Sequence, residues 1–352
     1  MDDAGAVPEV DAVITWVNGA DPLHRRKLQA FLHETGSGNM AAADPTRFSD
    51  CGEIDYCVAS LLRFAPWLRT IFIVSDEQTP ALIKRLRGTP YEPRVRVVDH
   101  REIFFGFEQF LPTFSNRAIE CVMWRIPGLA DRFLYLNDDF QLIQPVAVED
   151  FFRNDGIVLR GAWRAASDRR WGQRLKSAVA RWVPSIAAAA ATARPGNHIA
   201  QELSARMAGF SDQYFQVPHL PHPMRRSMLA RYFADHPEQL ANNVRHRLRS
   251  TEQFLTTSLA SHLELAAGSA TIDNRLRTLR LKPSSHSLST LRRELGAADA
   301  DANVAFACVQ SVDQADEPTQ RLIFDWLDRR IGKPMQVFSS CGSGFSRDAP
   351  PL

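Results

Sequence analysis

The chain has 352 residues, 45% apolar and 23% charged, a balance that suits a globular protein with a sizeable core and excludes a largely disordered one. A formal net charge of +2 excludes a strongly basic nucleic-acid binder, and no apolar run approaches the roughly 20 residues needed to span a bilayer. The start, MDDAGAVPEV, is acidic where a signal peptide would be basic, and five scattered cysteines (Cys51, Cys57, Cys121, Cys308, Cys341) with no CxxC pair suit a reducing compartment and give no zinc framework. These features predict a cytoplasmic protein.

In chain order, buried strands are expected at Asp11–Val17, Thr70–Ser75, Val95–Val98 and Phe133–Leu136, each bounded by turn residues. Helices are expected between them at Tyr56–Phe64, Pro80–Arg87 and Ser115–Arg125, the last stopped by Pro127-Gly128. This alternation predicts an α/β fold: a mostly parallel sheet with helices on both faces. The strands run into Asn18-Gly19-Ala20-Asp21, Ser75-Asp76, Asp99-His100 and Asn137-Asp138-Asp139, so polar groups gather at the sheet edge where α/β proteins bind ligands.

From Arg160 to Ser250 the character changes, with 15 Arg or Lys against 5 Asp or Glu. Trp163, Trp171 and Trp182 and the alanine run Ala187–Ala191 suggest an inserted basic helical subdomain. It is either a solvated helical face or a surface for an anionic membrane or product. Helices follow at Met224–His236 and Thr256–Ala267, then a late strand at Phe306–Val309 and an amphipathic helix at Thr319–Arg330. The expected division is 1–160 as a nucleotide-sugar-binding half, 161–216 as the insertion, 217–338 as a catalytic half and 339–352 as a loose tail.

Four places could carry chemistry. Asp138 and Asp139 repel one another unless a cation offsets their charge, and magnesium takes one or two carboxylates plus substrate phosphates; a solvated turn is the plain alternative. In DAVITWVNGADP, Trp16 offers a flat face, and Asn18 and Asp21 offer hydrogen bonds, unless this is an ordinary strand and turn. His219, in Pro-His-Leu-Pro-His-Pro, suits a general base better than a helical metal pair, though a lone histidine is more often structural. Arg249, in His-Arg-Leu-Arg-Ser, could grip a phosphoryl group with two parallel hydrogen bonds, or be one surface arginine among many.

Taken together, DAVITWVNGADP, the run Arg47–Pro80, Val97–Phe104 (VVDHREIF), Leu111–Glu120 (LPTFSNRAIE) and Ile126–Val146 closely resemble the first two blocks of the Stealth family of sugar-phosphate transferases. Pro218–Met224 (PHLPHPM) through Arg245–Phe254 resembles the third block. The resemblance implies a glycosyltransferase-A-like, Rossmann-type fold. It also implies transfer of a hexose-1-phosphate, GlcNAc-1-phosphate or similar, from a UDP-sugar to a saccharide hydroxyl in surface or capsular polysaccharide synthesis, with release of UMP. His219 and Arg249 fall on the family's suspected catalytic pair, 30 positions apart. With them come Asp138 and Asp139 on Mg²⁺ (or Mn²⁺), Asp139 thereby joining the catalytic set, and a nucleotide cradle of Thr15, Trp16, Val17, Asn18, Gly19 and Asp21, with Asp76 beyond it. Ser115, Asn116 and Arg117 open a helix whose amides could meet anionic oxygens. Partners are then a UDP-sugar, a glycan acceptor and at most peripheral contact with the inner membrane or capsule machinery, with no nucleic acid. The sequence departs from the family twice. Glu53-Ile54-Asp55 stands where a basic residue usually follows the block's Glu, and FACVQSVD (Phe306–Asp313) replaces an Asn-Asp-Asp run, leaving Asp313 as a weak third metal candidate. A retaining glycosyltransferase releasing UDP and a non-catalytic binder of anionic glycan or membrane are the rival readings.

Overall fold

A computed structural model describes residues 9–36, 48–167 and 197–340. Its main sheet has the order β3-β2-β1-β4-β10: β1 (Val10–Thr15), β2 (Ile71–Ser75), β3 (Val95–Asp99) and β4 (Arg132–Asn137) run parallel, and β10 (His222–Arg225) pairs antiparallel with β4. Every residue of β1 and β2 is buried, as expected of strands covered on both faces. Side chains alternate between two cores. Ala12, Ile14, Ile73 and Leu136 share one core with the helices Glu53–Phe64 and Glu317–Ile331, while Val13, Phe72, Val74 and Phe133 share the other with the helices Asn116–Val122, Arg226–Asp235 and Thr256–Ala266. The α/β class and the mostly parallel sheet are as expected.

A smaller sheet continues from the larger one. Directly after β4 the chain turns through Asp138-Asp139 into β5 (Phe140–Leu142), which pairs antiparallel with β13 (Val304–Val309). β13 in turn lies parallel to β12 (Arg277–Leu281). The remaining strands form short ribbons: β6 (Phe152–Arg153), β7 (Gly156–Leu159) and β11 (Ala270–Ile272) in one, β8 (Ala162–Ala165) and β9 (Gln213–Gln216) in the other. Within 161–216 the described residues are β8, the helix Asn197–Met207 and β9; Trp171, Trp182 and the alanine run lie outside the described residues.

Three local corrections have simple causes. The expected helix start at Met224 falls in β10, because Pro223 and Met224 extend beside β4 before Arg226 begins the helix. The expected helix to Arg125 ends at Val122 and tightens into a 3₁₀ turn over Met123–Arg125. A helix at Pro22–Thr35 was not anticipated, although Asp21 caps it by accepting from the Leu23 and His24 N–H groups and Pro22 opens it.

The amino end of the sheet is tied by Asp11, whose side chain is fully buried. Its carboxylate accepts from Arg69 Nε (2.9 Å) and Nη2 (2.6 Å) and from the backbone N–H groups of Thr70 (3.1 Å) and Ala130 (2.7 Å). Asp11 thus sits opposite the edge where β1 carries its polar turn, and its role is to join three segments. Asp11→Ala leaves these donors without an acceptor, and chemical denaturation should register a loss of about 3 kcal/mol.

Candidate functional site

One cavity of about 510 Å³ opens at the carboxyl ends of the main-sheet strands. The order 3-2-1-4 puts the topological switch between β1 and β4, where open α/β sheets take their ligands. Thr15 at the end of β1 with Trp16 and Val17 after it, Asp76 after β2, His100 after β3, and Asn137 at the end of β4 with Asp138 and Asp139 after it all line the cavity. The opposite wall comes from the small sheet: Lys282, Ser284 and Ser285 after β12, and Gln310, Ser311 and Asp313 after β13.

Asp138 and Asp139 occupy the joint between the two sheets, where Val309 N–H donates to the Asp139 carbonyl (3.0 Å). Burial and then the neighbouring Asp139, Glu53 and Asp50 charges push Asp138 well above the usual carboxylate range. Burial pushes Asp139 up to about 6, and Glu53, also on the cavity, up to about 7. Asp139 Oδ1 is buried with no hydrogen-bond partner, while Oδ2 faces the Cys308 thiol at 3.7 Å. An unpartnered oxygen within a crowd of carboxylates fits a divalent cation. Asp313 lines the same cavity, yet no group of three or more acidic, histidine or cysteine side chains is gathered for a metal among the described residues. The ligand set that fits is therefore Asp138 and Asp139, with water and substrate oxygens completing it.

Arg249 also lines the cavity, and its placement follows from a docked loop. Phe114 N–H donates to the Arg247 carbonyl (2.7 Å) and Arg247 Nε to the Pro112 carbonyl (2.8 Å). Gln253 Oε1 accepts from Ser115 Oγ and from Ser250 N–H (each 3.0 Å), and Arg117 Nη1 donates to the Ser250 carbonyl (3.0 Å). Burial and the Arg117 charge lower the Arg249 pKa, while Glu120 and Tyr135 oppose that shift. Beneath it runs a polar chain. Tyr135 Oη bonds Thr15 Oγ1 (3.0 Å) and Asn137 Oδ1 (2.8 Å), and Asn116 Nδ2 donates to Glu120 Oε1 (2.8 Å).

The expected site residues therefore divide. Thr15, Trp16, Val17, Asp76, Asn116, Asp138, Asp139, Arg249 and Asp313 meet around one cavity. Ser115 and Arg117 do not line it, because their side chains hold the Arg249 loop; Asn116–Val122 is a seven-residue helix with no side-chain cap. Asn18, Gly19 and Asp21 do not line it either. Asn18 N–H donates to Gln78 Oε1 (2.9 Å), Gly19 lies where a Cβ would meet Phe48 at 2.6 Å, and Asp21 caps a helix. Trp16 does line it but is 7% exposed and pinned by its indole N–H to Asp50 Oδ2 (3.0 Å), so it offers little free face.

His219 is absent from the cavity lining. It packs edge-on to Phe140 (ring centroids 6.2 Å apart), the residue that follows Asp139. Burial, with Arg280 and the cavity residue Lys282, depresses its pKa to about 4. The expected meeting of His219 and Arg249 across one cleft is not seen: Arg249 lines the cavity with the aspartates, and His219 does not.

Glu120, Lys282 and His24 carry no signal in the sequence reading, and His100, named there only as a strand end, received no role. Lys282 was hidden because the alternating Arg-Thr-Leu-Arg-Leu of β12 was not read as a strand. Glu120 stands inside the LPTFSNRAIE run but as a mid-helix residue carries no local signal.

The family model for Stealth conserved region 2 matches residues 47–159, and that for conserved region 1 matches 8–36. Over these two regions the chain is similar to the Stealth family. Similar proteins include a capsular polysaccharide phosphotransferase of Aeromonas hydrophila, 38% identical over 151 residues covering 42% of this chain and 40% of the relative. Two exopolysaccharide phosphotransferases of Streptomyces coelicolor, 32% and 33% identical, each match 74% of the chain and cover 26% and 44% of themselves. The chain thus spans less than half the length of these curated relatives. Among solved structures, galactosyltransferase LgtC with donor and acceptor analogues aligns at 12% identity over 85% of this chain and 86% of its own (TM-score 0.39). The bifunctional glycosyltransferase WbbM aligns at 10% over 95% and 52% (TM-score 0.47). Among the described residues no helix is long and apolar enough to cross a membrane.

His100 yields a pH prediction. Burial depresses its pKa to about 4 from the unfolded value of 6.5, so the folded state favours the neutral ring. Its contribution is fully present above pH 6.5 and is lost as pH falls towards 4, by about 3 kcal/mol in total. Denaturation midpoints should fall across that window, and His100→Asn should flatten the fall.

Proposed function

We propose that this chain transfers a hexose-1-phosphate, GlcNAc-1-phosphate or similar, from a UDP-sugar to a saccharide hydroxyl at the cytoplasmic side of surface-polysaccharide assembly. The observation that carries this reading is that Arg249, the Asp138–Asp139 pair and Thr15–Val17 share one cavity at the switch point of the sheet. The acceptor oxygen attacks the sugar-proximal phosphorus, a new P–O bond forms, and the P–O bond to UMP breaks.

Asp138 and Asp139 would hold Mg²⁺ or Mn²⁺, which when bound neutralises phosphate charge. Arg249 makes no hydrogen bond among the described residues and is set to take non-bridging phosphoryl oxygens in a planar fork. Transfer of this kind depends on alignment and charge stabilisation more than on a protein nucleophile. His219 is assigned the acceptor proton. Burial keeps it neutral at pH 7, the form that accepts a proton, and the negative phosphates raise its affinity for one. Its contact with Phe140, the first residue of β5, directs the acceptor to the small-sheet side of the cavity.

Incubation with Mg²⁺, a panel of UDP-sugars and a saccharide acceptor tests the reading through the nucleotide released. UMP is expected; UDP alone would make the protein a glycosyltransferase, and nucleotide-independent glycan binding would make it a binding module. Arg249→Ala should lower turnover by about 10²–10³-fold while nucleotide binding largely persists. An unchanged rate in His219→Ala would remove that imidazole from the mechanism.

A further inference from the structure

We propose that Lys282 is a second phosphate-binding cation, holding the donor's diphosphate from the small-sheet wall as Arg249 does from the main-sheet wall. The inference rests on the use of a nucleotide-diphosphate donor proposed above, and adds to it a residue from a segment outside the two matched regions.

The charge arrangement calls for such a group. Glu53, Asp76, Asp138, Asp139 and Asp313 all line the cavity, so an entering diphosphate meets several carboxylates. Of the neighbouring cations, Lys27 is bound to Asp76 (2.7 Å) and Glu77 (2.8 Å). Arg280, two residues before Lys282 on β12, donates from Nε (2.9 Å) and Nη2 (2.8 Å) to Gln310 Oε1. Lys282, by contrast, lines the cavity, is exposed, and its ammonium makes no hydrogen bond or ion pair among the described residues.

The backbone around it is fixed. Leu281 is fully buried, and its carbonyl accepts from Gln310 N–H (3.1 Å). Pro283 is buried, and the Lys282 carbonyl accepts from Ser285 N–H (3.0 Å) and Oγ (3.2 Å). In the neighbouring turn, Ser311 holds a left-handed φ of 53°, while Gln320 Nε2 donates to the Val312 (3.1 Å) and Ala315 (2.9 Å) carbonyls. Ser311 thus holds a left-handed conformation on the cavity wall, kept there by a cross-bonded turn. A flexible ammonium on such a rigid turn acts as a point charge on phosphate.

The test compares wild type, Lys282→Met and Lys282→Arg by calorimetry with UDP in Mg²⁺ and by steady-state kinetics with the UDP-sugar. Lys282→Met should bind UDP at least tenfold more weakly and raise KM accordingly, Lys282→Arg should recover most of the loss, and all three should share one thermal midpoint. Unchanged UDP affinity and KM in Lys282→Met would overturn the assignment, as would a fall in kcat alone, which would place Lys282 on the acceptor. If wild type binds no uridine nucleotide, the donor reading falls, and this inference falls with it.

Discussion

Everything at the site depends on two carboxylates placed where one sheet becomes another. β4 belongs to the main sheet and β5 to the small one, and Asp138-Asp139 is all that separates them. That joint sets the carboxyl edge of β1–β4 against the ends of β12 and β13, and the cavity is the gap left between. It also buries two acidic side chains, and burial lifts both carboxyls above their ordinary range, with the Asp139 and Glu53 charges adding to the rise of Asp138. A site strained in this way favours any positively charged or phosphate-bridged occupant that relieves the repulsion.

Around the joint, the chain divides its polar groups between holding and exposing. Ser115, Arg117 and Gln253 bind the Arg249 loop, so one guanidinium can remain without a partner at the cavity. Asp11 closes the far end of the sheet, and Asn18 and Asp21 shape the turn after β1. The acidic end of the pocket and its cations therefore come from segments held by different anchors, as a preorganised phosphate site requires.

Much of this was legible in the sequence, and what was missed follows from physical causes. Continuous apolar runs revealed β1, β2 and β4, because strands buried on both faces need no alternation. The strand-end rule located Asp76, Asp138 and Asp139 without knowledge of the tertiary fold. Arg249 came from a resemblance, since nothing local distinguishes it from the other arginines. The turn residues Asn18, Gly19 and Asp21 were credited with ligand contacts because a polar turn looks the same whether its groups face a ligand or the backbone. Lys282 and Glu120 were silent for the opposite reason: their significance exists only once β12 and the Asn116–Val122 helix have been brought to the cavity.

The pairing of β5 with β13 has a kinetic side. Phe306 lies opposite Leu142, so the second wall is recruited from chain that follows the first by well over a hundred positions. Closing so long a loop is entropically slow, and contacts of this range form late in folding. Because β13 and the Glu317–Ile331 helix also fill one of the main sheet's two cores, that core and the cavity's second wall are completed together, and ligand competence arrives with the closing of the fold.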